Sequence, residues 1–294
     1  MDVNRIGVVG CGLMGHGIAQ ICAQAGWEVV VREVSQDKLD RGIGKIGRQL
    51  ARAVEKGKAE QAGVDAVRAR VHPTLDYSDL ADCDLVIEAI TEDLGTKLAM
   101  WGEIDRLSRR EACFATNTSS LSVAEQAAAT GRPERFLGLH FFNPPQVMPL
   151  LEVVRAEPTG TEAYELGFEV GRRLGKTTVA ARDNRGFIVN RLLVPYLLDA
   201  IRAYEQGVGS IEDIDRGMMA GASHPMGPLT LCDFVGLDTL ASIADVMVEA
   251  YGEERFAQPQ ALRNLVEAGH YGRKSGRGFY DYSGEKPTPV EPGV

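Results

Sequence analysis

The sequence predicts an α/β chain: a doubly wound, mainly parallel sheet followed by a second, all-helical C-terminal domain. Two observations carry this. Short β-branched runs in the first half are separated by segments long enough for crossover helices, the pattern of βαβ units. From about residue 184 the pattern changes, with Ile188, Leu192, Tyr196 and Leu197 repeating at helical spacing and no strand-like run behind them. The boundary is placed at Asp183-Asn184-Arg185-Gly186, giving domains of residues 1–183 and 184–294.

Strands are expected at residues 4–9, 28–32, 84–88, 113–116, 136–142, 149–154 and 177–181. The run Gly10-Cys11-Gly12-Leu13-Met14-Gly15 follows the first strand at once and opens a helix whose apolar positions are Ile18, Ile21, Cys22 and Ala25. The chemistry of a bound pyrophosphate explains the spacing. Gly10 permits the turn, Gly12 lets backbone approach the anion, and Gly15 lets helix and strand pack closely. The Leu13 and Met14 backbone and the helix N-terminus then face the phosphates. This is the Rossmann-type arrangement, and it implies a dinucleotide. Glu33, ending the second strand, suits the two ribose hydroxyls of NAD and would repel the 2′-phosphate of NADP, although Arg32 beside it could pair with that phosphate.

Composition narrows the classes. The 294 residues are 44% hydrophobic and 25% charged, with a net charge of −9, which argues against a general nucleic-acid or anionic-membrane binder. The five cysteines form no CxxC pair, so neither a zinc site nor a disulfide framework is expected, no metal is implied, and a reducing cytoplasm fits. A strand-like run begins within a few residues of Met1, leaving no room for a signal peptide. The most apolar later stretch, 187–198, is too short to span a bilayer and carries Arg191. The Pro-rich tail after Tyr282 reads as loose.

His140 stands apart from His16 in the first helix and from His72, His224 and His270 in turn-like contexts beside Pro or Gly. It ends a strand at the carboxyl edge of the sheet, where such folds bind ligands. A turn, Asn143-Pro144-Pro145, leads to a strand in which Glu152 is a lone charge among apolar neighbours. If the two strands pair as a hairpin, Glu152 meets His140 and makes a histidine–carboxylate general base. The alternative is an edge histidine with a solvent-facing glutamate. Asn117-Thr118-Ser119-Ser120 reads equally as a substrate contact or as a loop with a helix N-cap before Val123. Asn190, interrupting an apolar helix, reads first as a structural asparagine.

Together these motifs resemble the L-3-hydroxyacyl-CoA dehydrogenase family, closest in length to its single-function short-chain type, which acts on 3-hydroxybutyryl-CoA. The resemblance runs from the glycine loop to Gly278-Phe279-Tyr280. It rests most on Asn117-Thr118-Ser119-Ser120-Leu121, on Gly138-Leu139-His140-Phe141-Phe142-Asn143-Pro144 and on Gly186-Phe187-Ile188-Val189-Asn190-Arg191, with Pro225-Met226-Gly227-Pro228 and Val235-Gly236-Leu237-Asp238-Thr239 in support. It implies an NAD-dependent enzyme of fatty-acid metabolism that uses His140 as acid/base with Glu152 as its partner. Ser119 and Asn190 would stand near the 3-oxygen and the thioester carbonyl, and Glu92, Lys97, Ser119 and Asn143 near the cofactor. Gln49, Arg52, Lys56 and Ser119 would face CoA, and the second domain would form a homodimer. Cys11 and the pair Arg32-Glu33 depart from the usual pattern. A related dehydrogenase of a free hydroxy acid (gulonate type), one acting on a carrier-protein thioester, and a non-catalytic NAD-binding protein are the rival readings.

One further pattern lies in the helix expected over residues 37–58. Leu39, Ile43, Ile46, Leu50 and Val54 form an apolar face, and Arg41, Lys45, Arg48, Arg52 and Lys56 repeat two residues later, roughly 200° around the helix. Such a stripe is either a solvated face or, as the resemblance implies, a contact for the phosphates of CoA.

Overall fold

The computed structural model describes residues 2–290. They divide into two compact units, one up to Phe187 and one from Ile188 on. In the first, the order is β1 (Arg5–Val9), α1 (Gly15–Gln24), β2 (Glu28–Arg32), α2 (Gln36–Glu55), α3 (Gln61–Ala69), β3 (Val71–Thr74), β4 (Leu85–Glu88), α4 (Leu94–Leu107) and β5 (Cys113–Thr116). There follow α5 (Val123–Ala127), β6 (Phe136–Phe141), β7 (Leu150–Arg155), α6 (Thr161–Arg173) and β8 (Thr177–Arg182). These strands make one eight-stranded sheet in the order β3-β2-β1-β4-β5-β6-β7-β8. All pairs are parallel except the β6–β7 hairpin.

The central strands are apolar on both sides because helices cover both faces of a parallel sheet. Ile6, Val8, Ile87, Leu85 and Ala115 pack beneath α1 and its neighbours, while Val9, Val86, Phe114 and Phe136 pack with Trp101 of α4 on the opposite face. The doubly wound sheet is thus as the sequence predicts, with one strand added. β3 contains His72 and Pro73, which the sequence placed in a turn. Proline is tolerated there because β3 is the edge strand and one side of its backbone needs no partner. His72 Nε2 lies 2.6 Å from Glu28 Oε2 across the β2–β3 pair. The basic helix is also shorter than expected: α2 ends at Glu55, and Lys56 is its C-cap.

The second unit holds α7 (Val189–Glu205), α8 (Ile211–Gly221), α9 (Pro228–Val235), α10 (Leu237–Tyr251) and α11 (Gln260–Glu267). It is not wholly helical. β9 (Tyr280–Asp281) and β10 (Thr288–Pro289) pair antiparallel, and the Val290 N–H donates to the Phe279 carbonyl at 2.8 Å. Backbone pairing therefore returns the Pro-rich tail onto the unit as far as Val290, and the rest of the tail lies outside the described residues. Among the described residues no helix is long and apolar enough to cross a membrane.

Two buried carboxylates organise this unit. Asp215 accepts the Leu229 and Thr230 N–H groups at the start of α9, together with the Tyr280 hydroxyl. Asp233 accepts the Phe279 and Tyr280 N–H groups and the Tyr282 hydroxyl. Burial pushes the Asp233 carboxyl from 3.8 up to about 6, against the pull of those hydrogen bonds. A raised pKa means that the folded chain holds a proton that the unfolded chain has released. The contribution to stability is therefore full below pH 4 and lost as pH rises through about 6. Asp233→Asn should remove this dependence, so that the stability difference between variant and wild type changes by about 2 kcal/mol between pH 4 and 6.5. Denaturant unfolding across that range checks it; a difference that stays constant with pH would show that the carboxyl titrates normally.

Candidate active site

Parallel strands bring their carboxyl ends to one edge, and the residues just past those ends make the site. Gly10, after β1, has φ +95°, a left-handed conformation that side chains rarely adopt. A Cβ on Gly15 would lie 1.8 Å from the Gly10 carbonyl oxygen, so only glycine lets α1 start this close to the strand. A Cβ on Gly12 would meet nothing within 4 Å, and Leu13 is 63% exposed, so this part of the loop is open to a ligand. Met14 is the N-cap of α1 and supplies no side-chain cap, and the first turn carries no acidic residue. The N–H groups and positive dipole end of this helix suit an anion.

Cys11 fits here because α2 offers Gly42, where a Cβ would come within 2.3 Å of both Cys11 O and Sγ. The departure at position 11 is thus absorbed by a glycine opposite. Burial pushes the Cys11 thiol up to about 12, so it is an unreactive packing group. Glu33 Oε2 accepts the Cys11 N–H at 2.9 Å and Oε1 accepts the Val34 N–H at 2.7 Å. Each oxygen keeps further acceptor capacity for a hydroxyl. Arg32 lies over the Tyr77 ring, its guanidinium carbon 3.6 Å from the centroid, so the face of the guanidinium is stacked.

His140 and Glu152 are directly opposed in the β6–β7 hairpin. His140 Nδ1 stands 2.5 Å from Glu152 Oε2, Glu152 is fully buried and His140 is 5% exposed. The hairpin, and not the edge-histidine alternative, is what the structure contains. The carboxylate accepts the hydrogen bond of Nδ1–H, which leaves the Nε2 lone pair as the acceptor. Phe142 and Phe187 lie 4.6 and 5.4 Å from the imidazole, centroid to centroid, and hold it on apolar walls. The sequence gives Phe187 a place in a motif but no role at the site. It has φ +48°, a conformation that costs a non-glycine residue on the order of 1–3 kcal/mol and that collects at functional sites.

Glu92 gathers the loop after β5. Its Oε1 accepts the Thr118 hydroxyl at 2.5 Å, the Ser119 N–H at 2.9 Å and the Ser120 N–H and hydroxyl, while the Ser119 hydroxyl is held only at 3.4 Å. Helix capping falls to Ser122, with Asp183 accepting the Val123 and Ala124 N–H groups. Ser119 is therefore left half-buried and weakly bonded at the edge of the sheet, as a ligand contact requires. Asn143 is exposed in the connection that follows His140, and Asn190 lies in the first turn of α7 in the second unit.

Lys97 departs from the cofactor contact that the resemblance implied. It is 1% exposed, and its ammonium sits 2.5 Å from Glu88 and 3.2 Å from Glu92. Glu88, fully buried, also accepts the Ile90 N–H and the Thr116 hydroxyl. Burial alone would raise the Glu92 pKa; the Lys97 charge and the hydrogen bonds from Thr118 and Ser119 outweigh it and hold the carboxyl below its ordinary value. Lys97 thus braces the site from beneath, through Glu92. The signal for Glu88 was present in the sequence as a lone acid closing the apolar run Leu85-Val86-Ile87.

On α2, Leu39, Ile46 and Leu50 are buried, while Arg41, Lys45, Arg48, Arg52 and Lys56 are all exposed. Arg41 is paired with Asp37. Gln49 is half-buried and accepts from Gln146 at 2.7 Å. Among the described residues no group of three His, Cys, Asp or Glu side chains could hold a metal ion, and the five cysteines are buried.

A glycine loop opening a helix, an acid closing the second strand and a buried His–Glu pair along one sheet edge define the class: an NAD-dependent dehydrogenase. Sequence comparison gives the family. The profile for the 3-hydroxyacyl-CoA dehydrogenase NAD binding domain matches residues 5–184 and that for the C-terminal domain matches residues 186–282. The chain belongs to the 3-hydroxyacyl-CoA dehydrogenase family. It is 48% identical over 282 residues to 3-hydroxybutyryl-CoA dehydrogenase of Mycobacterium tuberculosis (95% of this chain, 99% of the relative). It is 43% identical to that of Bradyrhizobium diazoefficiens, over 98% of both chains. The crystal structure of (S)-3-hydroxybutyryl-CoA dehydrogenase PaaH1 from Ralstonia eutropha superposes with a TM-score of 0.92 at 37% identity, covering 96% of this chain and all of that one.

Proposed function

We propose that the chain interconverts short-chain (S)-3-hydroxyacyl-CoA, foremost 3-hydroxybutyryl-CoA, and the 3-oxoacyl-CoA, with His140 as the acid/base. The buried His140–Glu152 pair at the carboxyl edge of the sheet carries this reading, and the relatives' shared activity supports it. Gly10, Gly12, Leu13, Met14 and Gly15 would hold the pyrophosphate of NAD, and Glu33 its ribose. Glu92, Ser119 and Asn143 would line the remainder, with Lys97 fixing Glu92. Bound there, NAD accepts a hydride from C3 of the substrate or returns one. His140 Nε2 takes the 3-hydroxyl proton in oxidation and gives it back in reduction, and Glu152 stabilises the imidazolium that forms between. Ser119 would orient the 3-oxygen.

The test is oxidation of NADH with acetoacetyl-CoA, its pantetheine analogue and free acetoacetate. Turnover of the CoA thioester is expected; turnover of the free acid alone would replace the substrate class, and turnover of none would overturn the reading. We assign the CoA phosphates to Arg52 and Lys56, which carry no ion pair among the described residues. An exposed charge contact is worth about 0.2–1 kcal/mol, so Lys56→Ala should raise KM for acetoacetyl-CoA a few-fold with kcat nearly intact. The pantetheine analogue should not respond, and added salt should shrink the difference. If Lys56→Ala and Arg52→Ala leave KM and its salt dependence unchanged, the stripe is a solvated face. A homodimer formed through the second unit accords with its exposed apolar residues, Leu192 at 69%, Val208 at 72% and Met219 at 45%, and a cytoplasmic location with the thiols of Cys11, Cys22, Cys83 and Cys232.

A further inference from the structure

His16 lies in the first turn of α1 and is 6% exposed. Its Nδ1 stands 2.6 Å from the Gly12 carbonyl oxygen, inside the dinucleotide loop, and its Nε2 stands 3.4 Å from the Gln49 amide nitrogen on α2. Gln49 Oε1 accepts from Gln146 Nε2 at 2.7 Å. Gln146 belongs to the connection between β6 and β7, three residues beyond Asn143. A chain of hydrogen bonds therefore joins the loop, the helix assigned to CoA and the segment that follows His140.

The direction of each bond follows from its acceptors. The Gly12 carbonyl can only accept, so Nδ1 carries the proton; a neutral ring then presents a lone pair on Nε2 to the Gln49 N–H. Burial drives the His16 pKa down, against the Gly12 hydrogen bond and with the charge of Lys45, which keeps the ring neutral. The consequence is geometric. In a planar trans peptide the C=O and the following N–H point in opposite directions. A Gly12 carbonyl turned inward to His16 turns the Leu13 N–H outward, at the open part of the loop.

We infer that His16 is a positioning residue, which fixes the Gly12–Leu13 peptide so that the Leu13 N–H meets the pyrophosphate and which links that peptide through Gln49 to the acyl-CoA side. The inference rests on the loop being the NAD site. The experiment is fluorescence titration of the full chain with NADH. His16→Ala should raise the NADH Kd about fivefold, the effect of one hydrogen bond, with kcat at saturating NADH within about twofold of wild type. The amide nitrogen of asparagine sits one bond from Cγ, as Nδ1 does, but the side chain cannot reach Gln49. His16→Asn should therefore weaken NADH binding less than His16→Ala does, and by no more than Gln49→Ala does in the wild-type background. Gln49→Ala should weaken NADH binding in the wild-type background and leave it unchanged in both His16 variants. Native NADH affinity in His16→Ala, or equal weakening in His16→Ala and His16→Asn, would overturn the inference. A wild-type chain that failed to bind NADH would overturn the nucleotide reading first.

Discussion

Replacing His140 by glutamine should lower kcat by about 10²–10⁴, the usual contribution of a positioned acid–base group, while the NADH Kd stays near wild type. The glutamine can still meet Glu152, but it offers no lone-pair nitrogen whose affinity for a proton matches the reaction. Glu152→Gln should also lower kcat, because the imidazolium then forms in a buried site without the carboxylate that stands 2.5 Å from it. Steady-state kinetics with a parallel NADH titration separates loss of chemistry from loss of binding. If His140→Gln retains full kcat, the proton is handled elsewhere and the assignment is wrong.

The second large effect is on stability. Lys97 is enclosed between Glu88 and Glu92, with Glu88 fully buried. Removing one partner of a buried pair leaves an uncompensated charge and costs about 3–5 kcal/mol. Lys97→Met should therefore destabilise the chain by that amount at neutral pH, and Glu88→Gln in the same chain should recover part of it by removing the stranded carboxylate. The loop held by Glu92 should loosen as well, raising the NADH Kd in Lys97→Met. Denaturant unfolding of the two variants and the wild type measures the first effect. A loss under 1 kcal/mol would mean that water reaches Glu88 when the lysine is gone.

The parts of the protein legible in the sequence are those governed by local spacing. A period of two placed His140 and Glu152 on facing positions once the strands pair, and glycines at fixed offsets between a strand and a helix specified the loop. Both are short-range patterns whose steric reasons act within a few residues. β3 was not legible because Pro73 breaks the strand pattern, and only its place at the sheet edge makes proline acceptable there. The short β9–β10 pair was hidden for a similar reason, since two residues per strand carry no periodicity.

What the sequence by itself determined is the class of the chain: a parallel sheet with a nucleotide loop, a histidine–carboxylate pair and a helical remainder. The tertiary structure alone decided how the buried charges are shared. Lysine is read from sequence as a surface residue, and Lys97 becomes a core group only because β4 and α4 bring Glu88 and Glu92 around it. Phe187 and His16 acquire their places in the same way, one against the imidazole and the other against the Gly12 carbonyl. Local patterns encode which faces are buried. The pairing of polar groups inside them depends on distances between residues far apart in the chain, which are set only when the sheet and its helices pack.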